Sequence, residues 1–148
     1  MARPRRELGA GELDVLKVLW DEGPLSVREV LFRLHQRGRK VAYTTAMTFL
    51  SRLEKKGYVV SDKSDVAYVY RAKVSRERVT AARLRDVISQ LYDGAAAPMV
   101  LQLMQSERFS REEIADFQRL IEELDGERGG SKGRGANRDG EERSRNGR

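Results

Sequence analysis

Tyr43-Thr44-Thr45-Ala46-Met47-Thr48-Phe49-Leu50-Ser51-Arg52-Leu53-Glu54-Lys55-Lys56-Gly57 is the stretch that decides how this chain is read. At about 100° per residue, Ala46, Phe49, Leu50 and Leu53 fall on one side of a helix, at i, i+3, i+4 and i+7. The opposite arc carries Thr44, Thr45, Thr48, Arg52, Lys55 and Lys56, all hydroxyls and cations with no carboxylate among them. Hydroxyls and Arg bond base edges and phosphates, and Lys neutralises phosphate as a point charge. Gly57 stops the helix as an αL cap. Taken alone, such a helix is usually an ordinary amphipathic one with a solvated basic face. Its neighbours decide between the two.

Upstream, Leu13, Leu16 and Trp20 share one face of a helix running from about Gly11 to Asp21, widened by Val15, Val18 and Leu19 and ended by Gly23-Pro24. Ser26-Val27-Arg28-Glu29 is a capping box, with Ser26 at the N-cap and Glu29 at N3. The helix it opens buries Val27, Val30, Leu31 and Leu34 and ends near Gly38. Arg37, Arg39 and Lys40 form a basic connector into the Tyr43–Gly57 helix. Two helices, a short turn and a third helix with a basic polar face make a helix-turn-helix pattern. Met1 to Glu7 is an arm carrying Arg3, Arg5 and Arg6.

Downstream, Tyr58-Val59-Val60-Ser61 and Val66-Ala67-Tyr68-Val69-Tyr70-Arg71 are two β-prone runs. Val66, Tyr68 and Tyr70 alternate with Ala67, Val69 and Arg71 at period two. Asp62-Lys63-Ser64-Asp65 between them is a polar turn. A hairpin directly after a recognition-type helix is the wing of a winged helix, and Lys63 at its tip is placed to reach a phosphate. At least one of Tyr68 and Tyr70 is expected to pack on the helices.

From Ser75, an N-cap, the pattern is helical again. Thr80, Leu84, Val87, Ile88 and Leu91 form a stripe that Gly94 ends. Pro98 suits the first turn of the next helix, which offers Met99, Val100, Leu103 and Met104. Ser110-Arg111-Glu112-Glu113 is a second capping box, opening a helix with Ile114, Phe117, Ile121 and Leu124 at near-heptad spacing. About 50 residues in three helices supply little interior of their own, so these faces are expected to meet a second copy. From Asp125 onward no apolar side chain is larger than Ala136, and a disordered tail is expected.

Composition excludes more than it assigns. The 148 residues carry 29 Lys+Arg against 23 Asp+Glu, a net charge of +6 that suits an anionic partner such as nucleic acid. With no cysteine there are no disulfides, thiolate metal sites or cysteine nucleophiles. His35, the single histidine, has no companions for a metal site and reads as a surface or packing residue. No nucleophile–base pair or phosphate loop can be assembled, so no catalytic residue, metal or cofactor is expected. No apolar run approaches the roughly 20 residues of a membrane span. The expected location is the cytoplasm, with no membrane partner.

Leu13 through Trp20, Ala42-Tyr43-Thr44-Thr45-Ala46-Met47-Thr48, Arg52-Leu53-Glu54-Lys55-Lys56-Gly57-Tyr58 and Tyr68-Val69-Tyr70 together resemble the penicillinase-repressor family of bacterial transcriptional regulators. The resemblance spans roughly residues 8–124. It implies a winged-helix homodimer on a palindromic DNA operator, with Thr44, Thr45, Thr48 and Arg52 facing the major groove. Copper-responsive members use C-terminal cysteines, which this chain lacks. β-Lactam-responsive members are cut at an Asn-Phe bond by a regulatory protease; Gln102-Leu103 stands at the corresponding place here.

The expectation is therefore a mainly α chain with a small β-hairpin. It comprises a basic arm (1–7), a winged helix-turn-helix (8–73), a helical dimerisation segment (74–124) and a tail (125–148). Tyr43, Thr44, Thr45, Thr48 and Arg52 would read or approach bases, and Arg37, Arg39, Lys40, Lys55, Lys56 and Lys63 would hold phosphates of double-stranded DNA. Leu84, Val87, Ile88, Leu91, Ile114, Phe117, Ile121 and Leu124 would form the dimer interface. A protein-binding winged-helix adaptor, docking an acidic partner on the same basic face, is the alternative.

Overall fold

The structure is a computed structural model that describes residues 7–132. In chain order the elements are α1 (Ala10–Glu22), β1 (Leu25–Ser26), α2 (Val27–Gln36), α3 (Tyr43–Lys55), β2 (Val59–Asp62), β3 (Val69–Ala72), α4 (Arg76–Leu91), α5 (Ala96–Ser106) and α6 (Arg111–Lys132). The chain divides into two compact units at Ala95–Ala96, the first holding α1 to α4 and the sheet, the second α5 and α6.

The apolar faces read from the sequence build the core of the first unit. Val15, Leu16, Val18 and Leu19 of α1 meet Val27, Val30 and Leu34 of α2 and Ala46, Leu50 and Leu53 of α3. Leu16, Leu34, Leu50 and Leu53 are fully buried, each removal from water contributing about 1.5–3 kcal/mol. Helix ends follow the local chemistry. Ser26 accepts from the Glu29 amide at 3.3 Å and the Glu29 carboxylate accepts from the Ser26 amide at 3.4 Å, completing the capping box. At the end of α3, Gly57 takes φ 83°, its amide bonds Glu54 O, and the Tyr58 amide bonds Leu53 O. That pairing is a Schellman motif, which satisfies two terminal carbonyls and requires the left-handed conformation glycine adopts freely.

The sheet departs from the expected hairpin in two ways. It has three antiparallel strands in the order β1-β3-β2, with Leu25 opposite Tyr70 and Val59 opposite Ala72. The two-residue β1 is too short to leave a period-two signal. The second hairpin strand begins at Val69 and not at Val66, and Val66 is fully exposed. The Asp62 carboxylate accepts the Ser64 amide at 2.9 Å and that of Asp65 accepts the Val66 amide at 3.2 Å, bonds that compete with strand pairing and lengthen the turn. Tyr70 is the tyrosine that packs inward; burial, then the neighbouring Glu54 charge, pushes its phenol pKa up. Tyr68 stays about half exposed at 47%.

α1 and α3 touch closely. A Cβ on Gly11 would lie 2.3–2.8 Å from three atoms of the Phe49 ring, so the ring occupies the space a side chain would need. The next residue, Glu12, is the buried charge among the described residues, 5% exposed. Lys56 Nζ meets its Oε2 at 2.7 Å and Glu7 O at 2.8 Å. The carboxylate also lies in the first turn of α1, where the helix dipole favours it.

α6 continues to Lys132, past the end expected at Leu124. Extending an existing helix is far less costly than starting one, and Glu127 and Arg128 are good helix formers. The rest of the expected tail, 133–148, and arm residues 1–6 lie outside the described residues.

Removing Lys56 strands a nearly buried carboxylate, which costs about 1–3 kcal/mol. Lys56→Ala should therefore lower the urea midpoint with an unchanged slope. An unshifted midpoint would mean that the Glu12 charge is stable without its partner.

Candidate nucleic-acid interface

Because Ala46, Leu50 and Leu53 point inward, Tyr43, Thr44, Met47, Thr48, Ser51, Arg52 and Lys55 point out, while Thr45 is half-buried. Thr48 Oγ1 donates to Thr44 O at 3.0 Å, so its proton is engaged and its lone pairs face outward as acceptors. Such an acceptor suits the exocyclic amino groups of adenine or cytosine. The Arg52 side chain, one turn further, has no hydrogen-bond or ion-pair partner among the described residues. Met47 and Ser51 belong to this face as well. Their spacing from Thr44, Thr48 and Lys55 carried that signal, and exposed Met47 offers an apolar contact of the kind a thymine methyl takes.

The start of α3 is also prepared for anions. Ala42 caps it without any side-chain bond, and its first turn holds no acid. Its leading amides and the positive dipole end are left for a phosphate, beside exposed Lys40. His35 Nε2 lies 2.9 Å from Val41 O, so the single histidine ties the end of α2 to the residue before that cap.

The remaining cations divide by what they touch. Arg37 pairs with Asp21 at 2.9 Å and Arg39 with Asp14, both acids on α1. Hydrogen bonds from Arg76, then from Arg37, hold the Asp21 carboxyl below its usual range. Lys56 is committed to Glu12. Arg37, Arg39 and Lys56 thus brace the helix-turn-helix from within. In the wing, Lys63 Nζ sits 5.6 Å from the Tyr68 ring centroid, with Asp62 and Asp65 close by in the turn. Hydrogen bonds from Ser64 keep the Asp62 carboxyl below its usual range, so the wing tip carries both signs. No cluster of acids and histidine able to hold a metal occurs among the described residues.

The side chains expected at a dimer interface are spread over α4 and α6. Leu84, Val87 and Leu91 are exposed along α4, where no residue is buried, and Ile88 is half-buried. On α6, Ile114, Ile121 and Leu124 are exposed, while Phe117 packs edge-to-face on Phe109 with centroids 5.0 Å apart. α5 adds exposed Val100, Leu101, Leu103 and Met104. Among the described residues no helix is long and apolar enough to cross a membrane.

The sequence matches known proteins over most of its length. Residues 8–123 match the family described as penicillinase repressor. The penicillinase repressor of Staphylococcus aureus is 23% identical over 124 residues, covering 84% of this chain and 98% of that protein. The transcriptional regulator BlaI of Mycobacterium tuberculosis is 34% identical over 119 residues, covering 80% of this chain and 85% of its own length. The DNA-binding domain of the repressor BlaI, solved in solution, is 28% identical, with a TM-score of 0.44 over 49% of this chain and 87% of that domain. The chain belongs to the penicillinase-repressor family and is a DNA-binding regulator, not an enzyme.

Proposed function

We propose that this protein represses transcription by binding a palindromic operator as a homodimer. The observation that carries the reading is the exposed face of α3, with hydroxyls and unpaired Arg52, no acid and an open N-terminus. Thr44, Thr48 and Arg52 read base edges, with Thr45 and Tyr43 against the flanking groove wall. Lys40, Lys55 and the α3 amides hold phosphates, and the wing lays Lys63 beside a neighbouring one. Arg37 and Arg39 act from their ion pairs, as braces whose remaining donors face outward. Occupancy then denies the promoter to polymerase. The family's description as penicillinase repressor, and the same name borne by the Staphylococcus aureus relative, support this direction of regulation.

Dimerisation is supported by the apolar surface the single chain leaves open. Leu91 is 73% exposed, Leu101 58%, Ile121 57% and Leu124 54%. Side chains of this size remain in water at a cost of about 1.5–3 kcal/mol each, which a second copy removes. Two half-site contacts on one dimer gain an effective concentration advantage of roughly 10²–10⁴. A regulatory protease that separated the halves would forfeit that gain. The Gln102–Leu103 bond, however, lies inside α5 and needs local unwinding before cleavage.

An Arg–base contact discriminates by about 1–3 kcal/mol, whereas a phosphate cation affects all sequences alike. Arg52→Ala should weaken binding to a selected duplex about 5- to 150-fold and to a scrambled duplex far less. Lys40→Ala should weaken both equally and reduce the salt slope by about one unit. Equal losses on the two duplexes for Arg52→Ala, measured by anisotropy titration, would reassign Arg52 to the backbone.

Ile121→Glu should sediment at half the wild-type mass with its helical circular dichroism retained. A wild type that is already monomeric at micromolar concentration would end the dimer reading. In cells exposed to a β-lactam the protein should stay at full length; a fragment ending at Gln102 would show that α5 opens and is cut.

A further inference from the structure

A cluster that the DNA-reading face does not use lies in the first unit, where the chain leaves β3 and enters α4. The Trp20 indole Nε1–H donates to Val74 O at 2.8 Å. Arg76, the first residue of α4, lays its guanidinium over the Trp20 ring, 5.4 Å from the centroid. Its Nη2 reaches Asp21 Oδ1 at 2.7 Å. Between them Ser75 caps α4, accepting the Arg78 amide at 3.2 Å. The other Asp21 oxygen accepts from Arg37 at 2.9 Å, just after α2. Three consecutive residues at the root of α4 are thus fastened, two of them onto adjacent residues of α1.

We infer that Trp20, Asp21 and Arg76 form a clamp that fixes the direction in which α4 leaves the winged helix, and so sets the preferred spacing between operator half-sites. The inference rests on the homodimeric DNA-binding reading above. Without these bonds, α4 is free to swing about the backbone angles of Lys73 and Val74. A bond on each side of the N-cap removes that freedom, as two pins hold a bar where one leaves a pivot. The 16 residues of α4 reach about 24 Å at 1.5 Å per residue. A 10° change at the root therefore moves the far end by about 4 Å, close to the roughly 3.4 Å step between base pairs. Leu84, Val87 and Leu91 ride on this arm, so the root angle carries directly to the surface offered to a second copy. The clamp residues are positioning residues, acting through α4.

The test uses the full chain and a duplex enriched from a random pool by the wild-type protein. Its half-sites are then moved apart or together by one and two base pairs. A two-base-pair shift rotates one half-site by about 70° around the duplex. The wild type should lose at least about 10-fold in affinity from that shift, part of its tethering advantage. Arg76→Gln and Trp20→Phe should flatten the dependence to under about 3-fold while single half-site binding is unchanged. Arg76→Lys, which keeps the charge on Asp21, should restore part of the profile.

Trp20 is the sole tryptophan, so its emission reads the clamp without DNA. Arg76→Gln should shift that emission, through loss of the cation above the ring. Spacing profiles of the variants that superimpose on the wild type, or an unmoved Trp20 emission in Arg76→Gln, would overturn the clamp. Failure of the wild type to enrich any duplex would instead bring down the DNA-binding reading beneath it.

Discussion

Burial of Ala46, Leu50 and Leu53 against α1 and α2 fixes the rotation of α3 about its axis, and the face it turns to solvent follows from that rotation. A helix has one circumference to divide. With three side chains inside the core, the residues about 180° away are held outward without any interaction of their own. The ring of Phe49 over Gly11 then sets how near α3 lies to α1, and Lys56 on Glu12 pins the far end of the helix. Rotation, distance and end are each set by a different contact. That precision matters because a base contact is made or lost within a fraction of an ångström of hydrogen-bond distance.

The same contacts explain which cations are available to a polyanion. Arg37, Arg39 and Lys56 neutralise Asp21, Asp14 and Glu12, so half of the basic cluster around the helix-turn-helix is balanced by α1. Net charge alone overstates the charge this surface offers. Lys40 and Arg52 stand on its outer face, and the bare N-terminus of α3 adds a partial positive charge that no residue count records.

Legibility in the sequence followed the range of the interaction. Periodicity and caps are local, and they located all three helices of the helix-turn-helix, the capping box at Ser26, the glycine stop at Gly57 and the outward arc of α3 within a residue or two. Most of what local patterning does not show is long-range. The Lys56–Glu12 pair joins residues 44 apart and Arg39–Asp14 residues 25 apart, and nothing in a local window ties either cation to its acid. β1 is two residues whose strand identity comes wholly from pairing with β3. Val66 and Tyr68 kept a strand-like alternation, yet the aspartates of the turn held the backbone locally and delayed the strand. Met47 and Ser51 share the outward face by spacing alone, between Thr44, Thr48 and Lys55.

The C-terminal helices obey a different constraint. In the winged helix each apolar stripe meets another within the chain, whereas α4 and α5 bury no residue at all and still carry a row of large aliphatic side chains. On the homodimeric reading proposed above, base recognition and self-association fall on separate parts of the chain, and α4 joins the winged helix through the few residues from Lys73 to Arg76. A regulator built this way depends on the joint. Half-sites recognised by two separate helices are only additive unless the geometry between them is held, and a floppy joint would spend the tethering advantage on configurations that fit no duplex. The Arg76–Asp21 ion pair is about half exposed and adds little to folding stability, while Trp20 is partly buried against the core. Their consequence lies in angle rather than energy, because contacts on both sides of the root limit the direction of a long lever whose far end magnifies any play left there.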